Sequence, residues 1–86
     1  MDFSQALESL KGGKRIKRSE WKNLTAVFLV SGSTFQVNRA PLLGIFPQGT
    51  EINYRPHIDG IGADGAVGTW VPSMVDILAS DWAEVE

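Results

Sequence analysis

Cysteine is absent from the chain, which excludes disulfides, thiolate metal sites and a cysteine nucleophile, and fits a reducing compartment. Histidine is nearly absent. His57 stands alone, so no pair of imidazoles can form a metal site, and any histidine-dependent catalysis would rest on that one ring. No apolar run is long enough to cross a bilayer, and Met1-Asp-Phe-Ser-Gln-Ala-Leu-Glu8 lacks the basic-then-apolar order of an export signal, so a soluble, cytoplasmic protein is expected. No serine lies in a nucleophile elbow, no phosphate loop is present, and Gly60-Ile-Gly62 is too short for a dinucleotide fingerprint. No metal or cofactor is expected, and catalysis is not.

What is present is concentrated at the two ends. Residues 11–22 hold Lys11, Lys14, Arg15, Lys17, Arg18 and Lys22 against Glu20, whereas residues 51–86 hold seven acids against Arg55. The basic run reads either as a solvated strand edge that discourages edge-to-edge pairing or as a patch facing phosphate. A net charge of −2 with so short a basic run does not supply the footprint that long nucleic acid requires, and a small anionic ligand suits it better. At 86 residues the chain leaves much of its surface exposed, and a homo-oligomer is expected to bury more of it.

Phe3, Ala6, Leu7 and Leu10 fall at helical spacing between Asp2, a potential N-cap, and Gly12-Gly13, which predicts a helix over 3–11. Arg15–Arg18 alternates as a short strand with Ile16 inward, and Ser19–Asn23 forms a turn that positions Trp21. Residues 26–31 and 35–38, joined at Gly32-Ser-Thr34, read as a hairpin at the centre of the sheet. Residues 39–56 are broken by prolines and glycines but too apolar for a solvated linker, so they read as a loop that packs on something. Residues 57–62 and 67–71 form a second hairpin. Ser73-Met-Val-Asp76 is a capping box opening a helix over 74–80, with Ile77 and Leu78 expected toward the core, and residues 83–86 supply a last edge strand. These elements describe one α+β domain over residues 1–86, a small antiparallel sheet with a short helix near each end.

Binding chemistry fares better than catalysis. Indoles can sandwich a purine, arginine can meet phosphate, and Asp or Asn can read hydroxyls and base edges; Trp21, Asn23, Trp70 and Asp81 have those types. The same indoles, Trp82 included, also suit a small core. Asp76 has a complete structural explanation as a cap. An enzyme using His57 as base with Asp59 orienting it, and an interaction module docking through apolar residues 42–46, are the competing readings.

Several motifs carry a resemblance that runs nearly end to end: Lys11-Gly-Gly-Lys14, Arg18-x-x-Trp21, Pro41-Leu-Leu-Gly-Ile-Phe-Pro-Gln-Gly-Thr50, Tyr54-Arg-Pro-His-Ile-Asp59, Ala63-Asp-Gly65, Trp70-Val-Pro-Ser73 and Asp76-Ile-Leu-Ala-x-Asp-Trp82. In these the chain resembles the phage and prophage proteins of the second Thoeris anti-defence family of signal-sequestering sponges. The resemblance implies a non-enzymatic protein that binds a cyclic nucleotide second messenger, chiefly cyclic ADP-ribose isomers, and for some members cyclic dinucleotides at a separate site. It further implies a homotetramer with ligand pockets between subunits. By position it assigns ligand binding to Arg18, Trp21, Asn23, Trp70, Ser73, Asp76, Asp81 and Trp82, with Trp21 stacking and Arg18 on phosphate. Lys22, Gly60–Gly62, Met74 and Val75 depart from the family pattern and bear on ligand preference.

Overall fold

A computed structural model describes all 86 residues. Helix α1 spans Phe3–Lys11; the Asp2 carboxylate accepts from the Gln5 amide at 2.8 Å while the Gln5 side chain accepts from the Asp2 amide at 3.0 Å, closing the N-terminus. Its apolar stripe puts Ala6 and Leu10 in the core. Strands β1 (Ile16–Arg18), β2 (Leu24–Val30), β5 (His57–Gly62), β6 (Val67–Thr69) and β7 (Trp82–Glu84) form one antiparallel sheet in the order β6-β5-β2-β1-β7. β3 (Ser33–Gln36) and β4 (Glu51–Tyr54) form a separate ribbon, and helix α2 spans Met74–Leu78. The antiparallel α+β architecture and the short helix near each end are those expected.

Register explains the core. Ile16 opposes Val27, and Arg18 opposes Trp82, so these four side chains share the sheet face on which α1 lies. Arg18, two residues after Ile16, therefore enters on the core side and is only 8% exposed. This corrects the reading of the basic run as a strand edge: β1 lies between β2 and β7, and Lys17 is its only exposed residue.

The central hairpin is a second correction. β2 gives one edge to the preceding strand β1 and the other to the distant β5, which leaves β3 none in the main sheet. β3 pairs instead with β4, opposing Ser33 to Tyr54 and Phe35 to Ile52, so the stretch read as a loop over 39–56 contains a strand. Gly32 permits the departure, since a Cβ there would stand 2.6 Å from the Tyr54 carbonyl oxygen. The ribbon packs mainly on itself and draws the molecule out to 46 × 26 × 25 Å. Its radius of gyration, 15.9 Å, exceeds the roughly 12 Å of a compact chain this long. Leu43, Ile45 and Phe46 are exposed beyond it, rather than packed within the chain.

Helix α2 is a third correction. It ends at Leu78, and its exposed side chains are the apolar ones: Leu78 is 76% exposed and Val75 67%, whereas Asp76 is buried. The inward stripe is Asp76 and Ala79, because a carboxylate is what the core side requires opposite Arg18.

Candidate functional site

The site grows from the β1–β7 pairing. Trp82 opposite Arg18 brings Asp81 beside the turn that leaves β1, where the Ser19 amide donates to the Asp81 carbonyl at 3.3 Å and the Trp21 amide to the Arg18 carbonyl at 3.2 Å. From the other side α2 delivers Asp76 through its capping box: the Asp76 amide donates to Ser73 Oγ at 3.1 Å, and the Ser73 amide and hydroxyl each donate to Asp76 Oδ2 at 2.9 Å.

Arg18 joins these pieces. Its Nη1 donates to Asp76 Oδ1 at 2.9 Å, Nε to Asp81 Oδ1 at 2.8 Å and Nη2 to Glu20 Oε2 at 3.0 Å. Asp81 Oδ2 accepts from the Ser19 hydroxyl at 3.0 Å and the Glu20 amide at 3.2 Å. One positive charge thus faces three negative ones. The guanidinium expected to meet phosphate has each of its three nitrogens bonded to a carboxylate, with two of its five N–H groups outside these bonds.

Above this network stand the three indoles. Trp21 meets Trp82 edge-on at 5.2 Å and Trp70 edge-on at 5.8 Å, and Trp70 meets Trp82 at 6.1 Å. Trp82 is buried and donates Nε1–H to the Asp76 carbonyl at 2.9 Å; Trp21 donates its own to Asp76 Oδ1 at 3.4 Å. Asp76 therefore fixes two of the three rings. The third, Trp70, is half-buried, and its N–H is not donated within the chain. Trp70 also walls a shallow depression of about 290 Å³ formed with Leu24, Gly60, Gly62 and Gly68.

Of the sequence-assigned residues, Arg18, Trp21, Trp70, Ser73, Asp76, Asp81 and Trp82 come together. Asn23 does not take part: its side chain is exposed and its carbonyl accepts from the Ala63 amide at 2.9 Å. Sequence reasoning missed Glu20 and Ser19, whose only signal was adjacency to Arg18. His57 and Asp59 approach to 3.3 Å on β5, and no side-chain cluster of the chain has the makings of a metal site. A larger cavity of about 750 Å³, lined by Phe35, Arg39 and Tyr54 among others, shares no residue with the indole cluster.

The network shifts its own titrations. The hydrogen bond from Arg18, with further ones from Ser19 and the Glu20 amide, lowers the Asp81 carboxyl to about 2 against the opposing effect of burial. At Asp76 burial pushes upward, but the Ser73 amide, Arg18, the Ser73 hydroxyl and Trp21 outweigh it, leaving the carboxyl below its ordinary value. Arg18 is raised by Asp81 and then Asp76 and stays charged throughout. Both carboxyls hold protons less tightly folded than unfolded, so their contribution is fully present above their unfolded values of about 4 and is lost as pH falls below them. Thermal unfolding midpoints followed by circular dichroism should fall from about pH 4 toward 2, and should fall less in Asp81→Asn; equal slopes would separate the network from acid stability.

The family model for the Thoeris anti-defense 2-like domain matches residues 1–85. A protein of Bacillus phage SP01 named Thoeris anti-defense 2 is 38% identical over 88 aligned positions, covering 95% of this chain and 91% of the phage protein.

Proposed function

The chain belongs to the Thoeris anti-defense 2-like family, and from that premise we propose that it acts against bacterial immunity by binding a cyclic nucleotide signal and holding it unaltered. The observation that carries the proposal is the indole pair Trp21 and Trp70, one ring braced by Asp76 and the other half-exposed with a free N–H. A braced ring loses little freedom when a base stacks on it, which favours tight binding. Lys22, exposed beside Trp21 and outside every ion pair of the chain, supplies positive charge for phosphate where Arg18 is already engaged.

The state of the carboxylates supports sequestration over turnover. Asp76 and Asp81 are held ionised by Arg18 and their other donors, so neither is poised to give or take a proton near neutral pH. Such a protein works by stoichiometry, as a cytoplasmic homo-oligomer, with a tetramer as the expected form. Cyclic ADP-ribose isomers are the leading ligands and cyclic dinucleotides the next. Calorimetric titration with these compounds should give saturable binding to one of them; heats of dilution alone across the series would refute the proposal.

A further inference from the structure

Three carboxylates share the Arg18 guanidinium, but they are not held alike. Asp76 keeps its second oxygen on the Ser73 amide and hydroxyl, and Asp81 keeps its second on the Ser19 hydroxyl and the Glu20 amide. The Glu20 carboxylate has Arg18 Nη2 as its one partner in the chain, at 3.0 Å. Its side chain is 76% exposed, against 13% for Asp76 and 26% for Asp81. An ion pair with one end in water contributes little, so Glu20 is the carboxylate that leaves Arg18 most readily.

We propose that Glu20 is a specificity-determining residue: in the free protein its carboxylate occupies the place on Arg18 Nη2 that a phosphate of the ligand takes on binding. This deepens the nucleotide-binding function proposed above, on which it rests, by giving the phosphate its place. The position suits a nucleotide. Arg18 Nη1 and Trp21 Nε1 donate to the same oxygen, Asp76 Oδ1, at 2.9 and 3.4 Å, so the guanidinium and the indole edge are neighbours. Glu20 directly precedes Trp21 in the chain. A base stacked on Trp21 therefore carries its phosphate toward the corner of Arg18 that Glu20 occupies.

Charge favours exchange over addition. A phosphate bound to the two N–H groups of Arg18 left outside its carboxylate bonds would join a cluster that already sets three negative charges against one positive. With the Glu20 side chain turned into solvent, that repulsion falls. Phosphate and carboxylate make the same charge-assisted contact with a guanidinium, so Nη2 loses no hydrogen bond in the exchange. Lys22, exposed one residue beyond Trp21 and outside every ion pair of the chain, offers a second cation without any displacement.

The exchange selects among ligands. Arg18 becomes available only to an anion that pairs with it better than the Glu20 carboxylate does. A phosphate, with more charge and more oxygens, meets that condition, whereas a neutral nucleoside leaves Glu20 in place.

Calorimetric titration at low ionic strength with inorganic pyrophosphate, which has the charge and no base, tests this. Pyrophosphate should bind Glu20→Gln and Glu20→Ala about fivefold more tightly than the wild type, the effect of releasing an exposed ion pair. Glu51→Gln removes the same charge from the ribbon and should change affinity by less than about twofold. Circular dichroism should be unchanged in all three, since both glutamates are exposed and the Glu20 amide keeps its bond to Asp81. Affinity unchanged or lowered in both Glu20 variants, an equal gain in Glu51→Gln, or no pyrophosphate binding by any of the proteins would overturn the exchange. A Glu20 that served only to brace the fold would lose stability on substitution and gain no anion affinity. Pyrophosphate needs no base site, so the two readings separate. Tighter pyrophosphate binding by a protein that takes up no cyclic nucleotide would sink sequestration alone, and cyclic nucleotide binding that Glu20→Gln leaves unchanged or weakens would sink the exchange alone.

Discussion

Asp76→Ala should lower the thermal unfolding midpoint by more than about 10 °C, with loss on the order of 3 kcal/mol, the range found when one partner of a buried ion pair is removed. Three losses coincide. Arg18, nearly enclosed, keeps Asp81 and Glu20 but loses the most buried of its carboxylates. The Ser73 amide and hydroxyl lose their acceptor, and α2, only five residues long, has little besides its cap to start it. The Trp21 indole loses its hydrogen bond. Asp76→Asn should fall between, since an amide oxygen can still accept from Ser73 or Arg18 while the charge is gone. Asp81→Asn should cost less again, its side chain being twice as exposed as that of Asp76. A melting curve for Asp76→Ala superimposable on the wild type would remove the ion network from the account of the fold.

Trp70→Ala should weaken binding of the cyclic nucleotide by about 10- to 100-fold, the loss of one base–indole stack. Trp70 is the ring to choose. Trp82 is buried and Trp21 is tied to Asp76, so alanine at either would disturb the core as well as the site. Trp70 also touches the core at its edge, and the measurement therefore pairs calorimetry with far-ultraviolet circular dichroism of the same sample. Unchanged spectra with unchanged affinity would show that Trp70 does not touch ligand. Asn23→Ala is the matching contrast: it stands outside the cluster, and its replacement should leave affinity within about twofold.

Local signals in the sequence carried much of this fold. The capping boxes at Asp2 and Ser73, the glycine stop after α1, and the alternation of residues 15–18 each describe an element whose cause lies within a few residues. Pairing between distant strands was less legible. Gly32-Ser-Thr34 looks like a hairpin turn, but what decides the partner of β2 is competition from β1 and β5, which no short window contains. β4 was hidden because Pro47 and Pro56 bracket a strand of only four residues.

The site followed the same division. The aspartates and tryptophans of the C-terminal segment were visible as types, and the Ser73–Asp76 cap as a motif. The ion network was not, because it depends on Arg18 sharing a face with Ile16 and thus pointing inward, against the ordinary expectation for arginine. That single fact turns α2 over. With a cation to neutralise, the helix buries Asp76 and leaves Ile77 and Leu78 exposed, the two side chains that the sequence reading placed toward the core.

The most direct test of sequestration is to incubate the purified protein with cyclic ADP-ribose isomers and cyclic dinucleotides, wash it, denature it by heat, and identify by mass spectrometry what is released. Recovery of one compound chemically intact and in near-stoichiometric amount is the predicted result. Release of a hydrolysed or linearised product would make the protein an enzyme, and an empty supernatant across the whole set would contradict nucleotide binding itself.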